Sequence, residues 1–103
     1  MQTVTNFPRF IPSYKRLKEN QNKVFTVEFY HHDVNSEPTF STISLASDIF
    51  LEKIENEGTF ITIRLTGLDL TFGEKNYNTN LSDDGVVFSS KHDDETYFLI
   101  HFS

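Results

Sequence analysis

The chain has no cysteine and no tryptophan, and only one methionine, three prolines and four glycines in 103 residues. Without thiols it has no disulfide, no thiolate metal site and no cysteine nucleophile. Its few glycines form no phosphate-cradling loop, dinucleotide fingerprint or Gly-x-Ser-x-Gly elbow. No apolar run approaches the roughly 18 residues of a membrane span. Pro8, Arg9, Pro12, Lys15 and Arg16 interrupt any signal-peptide core near the start. Small secreted domains are commonly bridged, so the lack of bridges favours a reducing compartment. The reading that follows is a cytoplasmic, soluble, non-catalytic protein without cofactor or metal.

What the chain does have is aromatic mass. Eleven phenylalanines and four tyrosines must supply much of the core. These residues bury large areas and favour pleated, half-buried surfaces, so composition points to strands. The length suits one domain, 1–103, comprising a basic segment over 1–22 and an acidic body over 24–103. Residues 1–23 hold five cationic side chains against Glu19, a balance of +4, and the remainder holds four against fourteen acids, −10. A body of that sign repels phosphates and attracts basic surfaces, which argues against direct nucleic-acid binding. Solubility is the plain alternative explanation.

Local patterns extend the strand reading. Pro12 and Ser13 open either a short helix through Leu17 or an extended segment anchored by Phe7, Phe10, Ile11 and Tyr14. Phe25, Val27 and Phe29 alternate with Thr26, Glu28 and Tyr30, and Ile43 and Leu45 share a face. Residues 47–57 read as a capped helix or as a hairpin through Asn56-Glu57-Gly58, with strand-like neighbours favouring the hairpin. Ile61, Ile63 and Leu65 share one parity, and Leu68, Leu70 and Phe72 share the other. A turn at Thr66-Gly67, or a bulge at Gly67, puts all six on one face. Gly73–Gly85 reads as a polar loop, Val86–Ser89 as a short strand and 91–95 as a charged turn. Tyr97–Phe102 forms a last strand with an open edge. The expected fold is mainly β: a single antiparallel sandwich or small barrel of six to seven strands, with at most one or two short helices.

Candidate chemistry is sparse. His31-His32-Asp33 and His92-Asp93-Asp94-Glu95 place imidazoles beside carboxylates, but neither has zinc spacing, and solvated turns explain both. Asp83-Asp84-Gly85 lacks the patterned loop of a calcium cage. Binding to a protein remains. Asp83, Asp84, Asp93, Asp94 and Glu95 are the expected electrostatic contacts, with Tyr30, Tyr77 and Tyr97 as anchors whose alternative role is cross-strand packing. In size and charge alone the chain is similar to small acidic inhibitors made by phages, mobile elements and toxin–immunity systems. The expected function is to inhibit or regulate a basic, nucleic-acid-processing protein. The alternative is a structural module that forms a homo-oligomer through a strand edge.

Overall fold

The computed structural model describes residues 10–31, 38–93 and 95–102. Among them the elements run α1 (Phe10–Glu19), β1 (Val24–His31), β2 (Phe40–Leu45), β3 (Asp48–Ile54), β4 (Gly58–Leu65), β5 (Leu68–Gly73), β6 (Tyr77–Ser82), β7 (Gly85–Ser90) and β8 (Thr96–Phe102). The strands form a five-stranded sheet ordered β2-β1-β8-β7-β6 and a three-stranded sheet ordered β3-β4-β5, and every pairing is antiparallel. The expected mainly β, antiparallel architecture is what the chain adopts, as a sandwich-like fold with one short helix. The strands follow one another in chain order around the molecule, and β8 pairs β1. Consecutive strands do not pair where the chain changes sheet, between β2 and β3 at Ala46-Ser47 and between β5 and β6 at residues 74–76.

The small sheet follows its apolar alternation. Leu65 lies opposite Leu68, Ile63 opposite Leu70 and Ile61 opposite Phe72, so Thr66-Gly67 is a two-residue turn and not a bulge. Only Gly67 takes positive φ, at 76°, which spares Thr66 a conformation that β-branched residues resist. Residues 47–57 are the hairpin arm and not the helix. Ile49 and Leu51 join the same face opposite Ile63 and Ile61. The loop falls at 55–57 and Gly58 already pairs with Ile54, one residue earlier than the sequence reading placed it. Facing these side chains from the other sheet are Phe25, Val27, Val86, Phe88 and Ile100, all buried. The Phe72 and Phe88 rings stack across the interface, 4.0 Å apart and 1° from parallel.

Two sequence expectations fail. Gly73–Gly85 is not a loop: it holds β6, giving eight strands where six or seven were expected. Tyr77, Thr79 and Leu81 alternate with Asn78, Asn80 and Ser82, so one face is polar and the apolar signal is thin, as suits a sheet edge. The last strand is not an edge either. β8 sits mid-sheet, hydrogen-bonded to β1 on one side and β7 on the other. A third feature turns outward. Ile43 and Leu45 do share a face, but it is the solvent face of β2, where they are 70% and 44% exposed.

The N-terminal segment is helical, with Pro12 in the first turn. Phe10, Ser13 and Leu17 recur at helical spacing and are fully buried, with Tyr14 packed alongside. Asn22, at φ 74°, ends the turn after the helix and donates its N–H to the Ala46 carbonyl at 2.7 Å. The helix packs on β3, β6 and β7 and ties the two sheets together. Arg16 donates to the Ser82 carbonyl at 2.6 Å and Lys18 to the Ile49 carbonyl at 2.8 Å. Its cations are thus partly engaged with the domain's own backbone. The buried hydroxyls of Ser13 and Thr79 have no hydrogen-bond partner. Burying an unpaired hydroxyl is unfavourable, and alanine is the better helix former. Ser13→Ala is therefore expected to raise stability by about 1 kcal/mol in urea unfolding. A fall in stability would show that the hydroxyl has a partner in solution.

Candidate functional site

Because neighbouring strands alternate in direction, the turns segregate to two ends. One end holds α1, the corner at 46–47, the Thr66-Gly67 turn and Asp83-Asp84. The opposite end holds the loops at 55–57, 74–76 and 91–95, together with the end of β1. There the turns are joined to one another. The Lys75 ammonium donates to the Asn56 carbonyl at 3.2 Å, linking the first turn to the second. The Lys91 N–H donates to the Asn76 carbonyl at 2.9 Å, and His92 Nε2 lies 3.1 Å from Asn76 Oδ1, linking the second to the third. His31 Nδ1 meets the Thr96 hydroxyl at 2.8 Å, which brings β1 into the same chain of contacts.

This rim carries Glu55, Glu57, Glu74, Asp93 and Glu95 against Lys75 and Lys91. Its third turn is internally fixed. Asp93 accepts from the Glu95 N–H at 2.9 Å through Oδ1 and from the Thr96 hydroxyl at 2.9 Å through Oδ2. Its carboxylate therefore holds the turn closed, an Asx arrangement that makes it a positioning group.

The residues singled out in the sequence do not converge on one surface. Asp93 and Glu95 lie on the rim, and Asp94 lies outside the described residues. Asp83 and Asp84 form the β6–β7 turn at the far end, about 20 Å away along a six-residue strand. There the Asp84 carbonyl accepts from the Phe102 N–H, and Arg16 reaches the neighbouring Ser82. Tyr30 and Tyr97 are cross-strand partners on the outer face of the large sheet, where Tyr30 is nonetheless buried. They stack at 4.8 Å, and the Tyr30 hydroxyl donates to Glu28 at 3.2 Å. Tyr77 instead turns inward, edge-on to Phe72 at 5.2 Å. His32 and Asp33 fall outside the described residues. Among those described, no group of three or more histidines and carboxylates could hold a metal ion.

No protein-family model, characterised protein or solved structure matches the chain. The site is therefore read from its own residues.

Sequence reasoning missed Glu55, Glu57 and Glu74. Each stands in a turn between strands, and such positions ordinarily read as solvated loops. Their grouping with Asp93 and Glu95 depends on β6. With that strand read as a loop, the direction of the chain, and so the end at which each later turn emerges, was undetermined. No helix among the described residues is long and apolar enough to cross a membrane.

Proposed function

We propose that the protein is a non-catalytic binding domain whose acidic rim docks on a basic, nucleic-acid-processing protein and inhibits or regulates it. The observation that supports this reading most is the rim: three turns from both sheets, hydrogen-bonded to one another, presenting carboxylates from a fixed scaffold. Preordered charge loses little entropy on binding and speeds encounter with a surface of opposite sign. The mechanism would be occlusion of the partner's nucleic-acid site, with the rim standing in for phosphates.

The test is capture of partners on tagged protein, identification by mass spectrometry, and association kinetics with the purified partner. Joint reversal of Glu55, Glu57 and Glu74 to lysine is expected to slow association at least about tenfold at low salt. Reversal of Asp83 and Asp84 at the opposite end serves as the control and is expected to change it little. Asp93 is left alone because its loss would open the turn. An unchanged on-rate after the triple reversal would remove the rim from the proposal. A captured set without any nucleic-acid enzyme would overturn the choice of partner.

A further inference from the structure

The second surface lies away from the rim, on the outer edge of the large sheet. Among the described residues β2 is hydrogen-bonded to β1 alone, and no described strand pairs with its other edge. Exposed edges are ordinarily guarded by charge, proline or a bulge. β2, Phe-Ser-Thr-Ile-Ser-Leu, has no charge and no proline, and it pairs with β1 without interruption from Phe40 to Leu45. The other edges differ: β3 carries Asp48, Glu52 and Lys53, β5 carries Asp69, and β6 packs against α1. Exposed apolar side chains gather at the same place. Ile43 and Leu45 stand on the outer face of β2 with Val24 directly opposite Leu45, and Phe40 is exposed on the inner face of the same strand, whereas Ile11, Ile54 and Leu68 are scattered.

We propose that this edge pairs with the same edge of a second copy, antiparallel about a two-fold axis at Ile43, to make one continuous ten-stranded sheet. Charge selects the occupant. A basic partner gains nothing from an uncharged strand, whereas two copies at net −6 meet with little repulsion at a surface whose contacting strand carries no acid. β2 is such a surface, and a two-fold contact requires one patch to complement itself. Register follows from the pleat. Residues opposite one another must share a face, so an axis at Ile43 sets it against the partner's Ile43 and sets Leu45 against the partner's Ser41. An axis at Thr42 would instead set Ile43 against the partner's Ser41 and leave the isoleucines apart.

The 103-residue chain is tested by sedimentation velocity from low-micromolar to near-millimolar concentration. A monomer-to-dimer shift that persists in high salt is expected, because the contact is uncharged. Ile43→Lys should weaken dimerisation at least about tenfold by facing two ammonium groups across the axis. With Ile43 mostly solvent-exposed, the unfolding temperature of the variant should match the parent's at concentrations low enough for both to be monomeric, which separates loss of contact from loss of fold. The absence of cysteine allows a direct register test. Under mild oxidation Ile43→Cys is expected to give covalent dimers, and Leu68→Cys, at an exposed apolar position elsewhere, is not. A monomer at all concentrations, or a dimer indifferent to Ile43→Lys, would overturn the proposal. Equal cross-linking at both positions would do the same.

Discussion

Phe72→Ala is expected to lower the free energy of unfolding by about 3–5 kcal/mol and the unfolding temperature by at least about 12 °C. Phe72 is 1% exposed and is the ring on which the sandwich closes. One face lies flat on Phe88 of the other sheet, and Phe98 and Tyr77 meet it edge-on at 4.9 and 5.2 Å. Among the described residues, alanine would remove the aromatic bridge that joins this hairpin to that cluster. Phe88 and Phe98 sit on the central strands β7 and β8 and cannot collapse into the space, so the transfer and cavity terms both apply. Leu68→Ala is the matched control, on the same strand and the same inner face but 37% exposed, and should cost well under half as much. The measurement is urea unfolding of both variants followed by circular dichroism, since the chain has no tryptophan to report. A loss below about 1.5 kcal/mol for Phe72→Ala would show that the two sheets do not meet through this ring.

Phe72 also shows how far the sequence could be read. Its place opposite Ile61, on one face with Ile63, Leu65, Leu68 and Leu70, follows from a period of two and a reversal at Gly67, because a strand buries one face and a turn of two residues preserves it. What periodicity cannot supply is the second layer. Nothing in the alternation of Val86 and Phe88 says that Phe88 meets Phe72, since cross-sheet contacts depend on the angle and spacing of two sheets. β6 was illegible for a related reason. Its inner face is Tyr77, Thr79 and Leu81, which is too polar to stand out, and the strand is fixed by the full ladder it makes with β7. β8 was misread as an edge because sequence order does not reveal that the first strand returns to pair with the last.

Missing β6 had a cost beyond the strand count. Each strand reverses the chain, so one unrecognised strand transposes every later turn to the other end. That is why Asp83-Asp84 and Asp93-Glu95 looked equally eligible for one surface although the fold sets them at opposite ends. The charge asymmetry between residues 1–23 and the remainder was legible, but its role was not. Arg16 and Lys18 spend part of their charge on carbonyls of Ser82 and Ile49, locking the helix to both sheets. On β2 the shared face of Ile43 and Leu45 was legible but its direction was not given, because alternation defines two faces and does not say which one meets the core.

Gly85→Ala is expected to be destabilising by about 2–4 kcal/mol, an effect out of proportion to one methyl group. The sequence suggests an ordinary Asp-Gly turn. The structure places Gly85 within β7, buried and opposite His101 of β8, with its φ in the ordinary range. The constraint is therefore space and not backbone conformation. A Cβ here would run into the carbonyl oxygen of Ile100 and lie 3.4 Å from the His101 Cα. That carbonyl belongs to a central strand held by β1 on its far side, where Val27 pairs with Ile100, so it cannot yield without disturbing two ladders. Gly73→Ala is the informative comparison. Its Cβ would lie 2.8 Å from the Phe60 ring, but a ring at the end of a side chain can rotate away, and Gly73 ends an edge strand. Gly73→Ala is expected to fall within about 1 kcal/mol of the parent, since alanine also narrows the unfolded ensemble. Amide exchange locates the damage: Gly85→Ala should accelerate exchange at Ile100, His101 and Phe102, and Gly73→Ala should leave those amides protected. Equal stability of the two variants would mean that β7 and β8 approach less closely at Gly85 than the structure shows.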